Sequence, residues 1–266
     1  MKTFTKESLK SELLEIAQRG FLRSEKDTSK RRNDGAAGNL LESLLGIEEN
    51  NLPLPNAAEW ELKVQRSNTN SLLTLFHMEP SPRALRFVPK VLLPFYGWQH
   101  AEAGVRYLES ERSFRMTMTG SRFTDRGFKV YADGEKVKVL FDSNSVAEHH
   151  EGWLDDIKNA VGLGKLEPAP YWGYEDLRKK VSSKLQNAFY ITADVKTEAK
   201  QELFHFRKCQ MLSGFSLEGF LELLETGQAV VEFDARSGHN HGTKFRIKQA
   251  ALPKLYANHE TIFDLD

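Results

Sequence analysis

The sequence predicts a mixed α/β fold, on three observations. Segments of helical period alternate with segments of strand period, the strands include both apolar runs and a polar hairpin, and no repeat, low-complexity tract or long linker interrupts them. The expected form is a mixed sheet flanked by helices, in two lobes without a flexible hinge. With 266 residues, of which 40% are hydrophobic and 11% aromatic, the chain has enough apolar mass for one large core or two, which excludes disorder. Lys plus Arg (37) equals Asp plus Glu (37), so a wholly polybasic protein is excluded. A nucleic-acid binder of this balance has to gather its basic residues on one face. The single cysteine, Cys209, forms no internal disulfide or thiolate cluster and suits a reducing, cytoplasmic setting as a buried thiol. No run approaches the roughly 18 apolar residues of a membrane span, and the start shows no signal-peptide core. The richest stretch, FVPKVLLPFYGW, is broken by Lys90 and two prolines.

The elements follow in order. Leu9, Leu13, Ile16 and Ala17 lie at helical spacing, with Gly20 as a left-handed stop. Residues 21–35 read as a basic surface loop. GAAGNLLESLLGI is a second helix whose apolar face carries Leu41, Leu44 and Leu45, with Glu42 on its flank. After a proline-stiffened turn, EWELKV alternates Trp60, Leu62 and Val64 against Glu59, Glu61 and Lys63. SLLTLFHMEP reads as its neighbouring strand. FRMTMTG is a strand, and GFKVYADGEKVKVLFD a hairpin turning at Asp133 and Gly134. Helices WLDDIKNAVG and YEDLRKKVSSKL precede the buried strand AFYITADV. SLEGFLELLETGQ is a helix between Ser216 and Gly227, AVVEFDA a strand, and SGHNHGTKFRI a glycine-rich loop running into a short strand.

The densest chemistry is Glu42, the Pro55-Asn56 turn, Glu61 and Lys63. A two-residue step on a strand leaves Glu61 and Lys63 about 7 Å apart on one face. A carboxylate holding a hard divalent cation beside an ammonium can bind magnesium at a scissile phosphate and stabilise charge on pentavalent phosphorus. A plain alternative is that Glu59, Glu61 and Lys63 are the solvated side of an edge strand, with Glu61 and Lys63 a surface pair.

A helix acid, then the Pro-Asn turn, then E-x-K matches the order of the PD-(D/E)xK nuclease core. More narrowly, RNDGAAGNLLESLLGIEENN (32–51), EWELK (59–63), LLTLFHMEP (72–80), ELFHFRKCQML (202–212), HNHGTKFRI (239–247) and LPKLY (252–256) resemble the MvaI/BcnI family of type II restriction endonucleases, relatives of the nicking enzyme MutH. His77 resembles the BcnI branch. The resemblance implies a restriction-endonuclease-like mixed sheet with a catalytic core over residues 1–80 and parts of 180–235, and a recognition lobe over 82–150 and 235–250. It implies Mg2+-dependent hydrolysis of double-stranded DNA by a monomer at a G/C-rich CC-N-GG site, CCSGG by the His77 match, leaving a 5′-phosphate, with a methyltransferase acting on the same site. Glu42, Asn56 and Glu61 fall at the metal-binding positions and Lys63 at the catalytic lysine. One position departs: the family has aspartate where this chain has Asn56. A neutral amide lowers the site's negative charge, so the alternatives are an inactivating change, rescue by Glu59, or a slow working site. A DNA-binding protein that no longer cuts and a MutH-like strand nicker are the competing functions.

Arg31, Arg32, Arg66, Arg83, Arg86, Arg112, Arg115, Arg122 and Arg126 cluster around the predicted core and hairpin, and about half are expected to neutralise phosphates. His239, Asn240, His241 and Arg246 sit beside glycines, a composition suited to base edges. The resemblance puts a recognition loop there. Zinc at His239 and His241 would need two further ligands. His77 corresponds to a residue reading the central base pair, and Arg32 and Asp34 are base-contact candidates by position. His149 and His150 read as surface residues.

Overall fold

The structure, a computed structural model, describes residues 4–23, 35–47, 60–67, 69 and 71–265. In chain order the first elements are α1 (Lys6–Gln18), β1 (Leu22–Arg23), α2 (Ala36–Leu45), β2 (Glu61–Arg66), β3 (Leu72–His77), β4 (Trp98–Gln99), β5 (Arg112–Met118), β6 (Arg126–Ala132) and β7 (Lys136–Val146). They are followed by α3 (Glu151–Val161), β8 (Tyr171–Gly173), α4 (Tyr174–Lys184), β9 (Asn187–Glu198), β10 (Gln201–Phe215), α5 (Leu217–Glu225), β11 (Ala229–Arg236), β12 (His239–Lys248) and β13 (Tyr256–Asp264). The chain clusters into two compact units. One gathers residues up to 71, 178–217 and 249 onward; the other gathers 72–177 and 218–248.

In the first unit β1 and β13 pair with β10, β10 with β9, and β9 with β2. The β2–β9 pairing is parallel and sets Glu61 opposite Ala188 and Lys63 opposite Tyr190. α1 starts with a reciprocal cap: Thr5 Oγ1 accepts from the Ser8 amide at 3.1 Å and Ser8 Oγ accepts from the Thr5 amide at 2.9 Å. The predicted apolar face of α1 (Leu9, Leu13, Ile16, Ala17) shares one core with Trp60, Leu62, Phe189, Phe204 and the face of α2, where Leu40 joins the predicted Leu41 and Leu45 while the predicted Leu44 packs partly buried against it. Each buried leucine, isoleucine or phenylalanine among them contributes about 1.5–3 kcal/mol by leaving water. The consequence for function is orientation. Because Trp60 and Leu62 face that core, Glu61 and Lys63 face the opposite side of β2.

The second unit holds an antiparallel sheet ordered β3-β12-β11-β5-β4 and a three-stranded sheet β6-β7-β8. Its core is aromatic, with Phe76 stacked on Phe245 at 4.7 Å and Trp172 edge-on to Phe245 at 5.1 Å. The hairpin turns where expected. Asp133 Oδ1 accepts from the Glu135 and Lys136 amides, and Gly134 takes a φ of 97°.

Two expectations are corrected. β3 is not the neighbour of β2: it pairs with β12 in the other unit. Two strands close in sequence do not have to pair when one finds a partner with the complementary apolar face. The segment 239–248 is a strand over its whole length, with a bulge where Gly242 adopts φ 83°; only Ser237 and Gly238 form the turn. The proline-broken stretch is a π-helical segment, Val88–Tyr96, burying Val88, Leu92, Leu93 and Tyr96. Wide π turns accommodate the Pro94 ring that an α-helix would exclude.

Candidate active site and recognition surface

The first unit buries a carboxylate. Glu61 is only 2% exposed, and Lys63, whose side chain is 11% exposed, donates from Nζ to Glu61 Oε1 at 2.7 Å. That overturns the reading of this pair as a solvated strand edge. A second ammonium, Lys184 at the end of α4, stands 3.7 Å from the same oxygen. The other oxygen, Oε2, is buried and without a hydrogen-bond partner among the described residues. A buried ion that is incompletely satisfied costs several kcal/mol of desolvation and calls for an explanation. Nearby, the Tyr256 hydroxyl is also buried and unpartnered; burial, and then the negative charge of Glu61, push its pKa up.

This donor set fits a hard divalent cation. Both lysines converge on Oε1, which leaves the buried Oε2 as a carboxylate oxygen with no hydrogen-bond partner among the described residues, the ligand type magnesium and manganese prefer. Glu42 is half-buried on α2, and α2 packs against β2. Asn56, the third expected metal ligand, lies outside the described residues, together with Glu59, Arg31, Arg32 and Asp34. Lys184 and Tyr256 escaped the sequence reading. Lys184 is one of several lysines in a helix and carried no motif, whereas Tyr256 closes the LPKLY segment that took part in the resemblance.

The second unit brings His77, Asn240 and His241 to one groove of about 550 Å³, together with Glu79, Arg83 and Arg86. β3–β12 pairing sets His77 opposite Lys244, and the two strands are tied further by the Met78 amide donating to the Thr243 carbonyl at 3.0 Å. Glu79 Oε1 accepts from the Thr243 amide at 2.9 Å and pins the bulge that presents residues 240–242. His239 is exposed and its ring meets that of His241 edge-on at 4.3 Å. Histidine and asparagine donors on a strand pair, with arginines on the 3-10 turn that follows β3, match what base edges and phosphates require. Arg246 is placed differently from the other candidates. Its terminal nitrogens donate to Glu232 Oε2 and to the Leu72 carbonyl, both at 2.7 Å, so it braces the sheet instead of reaching outward.

Several arginines expected near phosphate are structural. Arg66 is 7% exposed, forms a two-point pair with Glu202 and lies over the Phe204 ring. Arg112 donates to the Gly97 carbonyl, and Arg126 stacks on both Trp98 and Trp153 at 4.2 and 4.8 Å. Arg83, Arg86 and Arg122 are exposed, as is Arg115, which pairs with Asp234. Cys209 is fully buried and burial raises its thiol pKa, as a structural cysteine requires.

A model of the MvaI/BcnI restriction endonuclease family matches residues 10–256. The chain belongs to this family. The match does not separate the MvaI branch from the BcnI branch. Among solved structures, the chain is similar to restriction endonuclease MvaI in complex with its cognate DNA substrate, with a TM-score of 0.75, 20% identity, and 98% of this chain and 100% of that one covered. It is also similar to MvaI in the absence of DNA, with a TM-score of 0.53, 19% identity, and the same coverage. At these identities the likeness speaks for the fold, and it agrees with the expected restriction-endonuclease-like architecture. No curated protein matches the chain. Family membership makes the protein a restriction endonuclease by class and supplies the chemical setting for the buried Glu61-Lys63 pair.

Proposed function

We propose that this protein is a magnesium-dependent type II endonuclease that hydrolyses double-stranded DNA at a CC-N-GG site, CCSGG, acting as a monomer in the cytoplasm beside a methyltransferase of the same specificity. The observation that carries the reading is the buried Glu61, with one oxygen facing Lys63 and Lys184 and the other without a hydrogen-bond partner among the described residues. Glu61 and Glu42, with residue 56, would hold the cation. When bound, the cation supplies positive charge that polarises the scissile phosphate and acidifies a water. Lys63 orients the attacking water and, with Lys184, offsets charge building on the phosphoryl oxygens. Tyr256 closes the dry side of the carboxylate. In the second unit His77 reads the central base pair, Asn240 and His241 contact flanking bases, and Arg83 and Arg86 neutralise phosphates along the groove. His239 supports His241, while Arg246 and Glu79 hold the reading strands in place. Arg32 and Asp34 complete the contacts by their position in the family pattern.

Asn56 favours a second reading, a protein that binds this site and no longer cuts it, because the missing carboxylate weakens the hold on a divalent ion. Cleavage of a supercoiled plasmid bearing CCSGG sites, with magnesium, separates the two when the chain and its Asn56→Asp variant are compared. Cutting by the variant alone establishes a silenced nuclease. Cutting by both establishes that the amide or Glu59 suffices. If neither cuts nor binds the site, the proposal is wrong.

A further inference from the structure

A second cluster of metal-ligating side chains lies in the second unit, outside the groove and on residues that DNA cleavage does not use. Asp125 precedes β6, and His149 and His150 form the last part of a 3-10 turn, Glu148–His150, that leads into α3. Asp125 Oδ2 is 3.2 Å from His150 Nε2 and 3.8 Å from His149 Nε2, and one ligand atom of each residue lies within 4.8 Å of the other two. The two rings are 4.0 Å apart.

We propose that Asp125, His149 and His150 form a binding site for a borderline transition-metal ion of the zinc, nickel or cobalt class. A tetrahedral ion with bonds of about 2.0–2.2 Å needs its donors about 3.3–3.6 Å apart. The two Asp125–histidine separations, 3.2 and 3.8 Å, lie close to that, and the third, within 4.8 Å, closes by a side-chain shift of about an ångström. Two imidazoles and one carboxylate select such ions over magnesium, which prefers oxygen. The ligands are held before any ion arrives. The Ala147 amide donates to the Asp125 carbonyl and the His150 amide to the Ala147 carbonyl, both at 2.8 Å, so the two segments are already tied together. His150 is 16% exposed and packs edge-on toward Trp153, while His149 and Asp125 are 66% and 62% exposed, which leaves an entry path and room for water to complete the shell. Exposed Glu148 and Glu151 add negative charge beside the cluster. Arg126, the adjacent cation, is drawn away onto the faces of Trp98 and Trp153. The ion would fasten the start of the β6–β7 hairpin to the first turn of α3.

The test is calorimetric titration of chelator-stripped, full-length protein with zinc chloride, and separately with magnesium chloride. Zinc saturates at one equivalent with magnesium unable to displace it, and the melting temperature rises with zinc. Asp125→Asn and His149→Gln alter exposed side chains and leave the melting temperature of the stripped protein unchanged. Each lowers zinc affinity by at least about 10-fold, since losing a ligand costs no less than losing a residue that merely supports one. Glu61→Gln leaves the zinc isotherm unchanged, which separates this site from the catalytic one. Cobalt(II) gives a second reading through its visible absorption, which the same two variants diminish. Absence of saturable zinc binding overturns the proposal, as does an isotherm that Asp125→Asn and His149→Gln do not change or that Glu61→Gln abolishes.

Discussion

Lys184 and Lys63 share one oxygen of Glu61, at 3.7 and 2.7 Å, and that sharing makes a distinctive prediction. An ammonium and a divalent ion compete for the same carboxylate. Lys184→Met is therefore expected to lower the magnesium concentration needed for half-maximal rate while reducing turnover on the order of 10- to 100-fold, somewhat less than loss of a direct donor. Measured in whichever form of the protein cuts, with Asn56 or with Asn56→Asp, both quantities fall, so that tighter metal binding accompanies slower turnover. A purely structural lysine would weaken both. At the reading end, His77→Ala is expected to reduce discrimination at the central base pair by about 1–3 kcal/mol, the size of one good base contact. Competition binding between CCSGG and CCWGG duplexes measures it, and equal weakening on both would remove His77 from that role.

Among the elements, the β6–β7 hairpin carries a pH dependence whose sign is fixed. Lys138, bonded to Asp133, holds that carboxyl down to about 2 from its ordinary 3.8, assisted by the amides of Glu135 and Lys136. A folded-state pKa below the unfolded one stabilises the fold above the unfolded value, and that contribution fades as pH falls from about 4 toward 2. Asp133→Asn should therefore destabilise the protein at pH 6 and matter progressively less as pH falls through that window. Urea unfolding of both forms at pH 6, 4 and 3 checks this, and a constant difference would show that the charge plays no part. Asp133 is close to solvent, so the effect is small. Strand β12 works differently, through position: its bulge against β11 at Gly242 and the Glu79 brace decide which way Asn240 and His241 point.

At the scale of the molecule, zero net charge means that DNA affinity rests on local clustering of arginines. Several are committed to the interior: Arg66 to Glu202, Arg126 to two tryptophans, and Arg246 to Glu232. The salt dependence of binding should accordingly be shallower than the arginine count suggests. Arg83→Ala and Arg86→Ala are each expected to reduce the slope of log K against log salt by roughly 1, while Arg126→Ala leaves the slope unchanged. Fluorescence anisotropy across a salt series measures it, and a reduced slope for Arg126→Ala would return that residue to the DNA surface.

By itself the sequence determined the fold class, the helices α1 and α2, the hairpin at Asp133-Gly134 and the E-x-K pair. Each depends on short-range periodicity or on turn chemistry that a few neighbouring residues impose. The same local signal could not tell whether Glu61 and Lys63 were solvated or buried, because alternation names two faces without saying what covers them. Tertiary structure decided that Glu61 is nearly sealed and joined by Lys184, a residue 123 positions away. It also moved β3 to β12, gave Val88–Tyr96 its π-helical form, and turned Arg66 and Arg246 inward. The reason is common to all four: strand partners, tolerance of a proline and the neighbours of a charged side chain are settled by whichever distant segment offers a complementary surface, and that surface exists only once the chain has closed on itself.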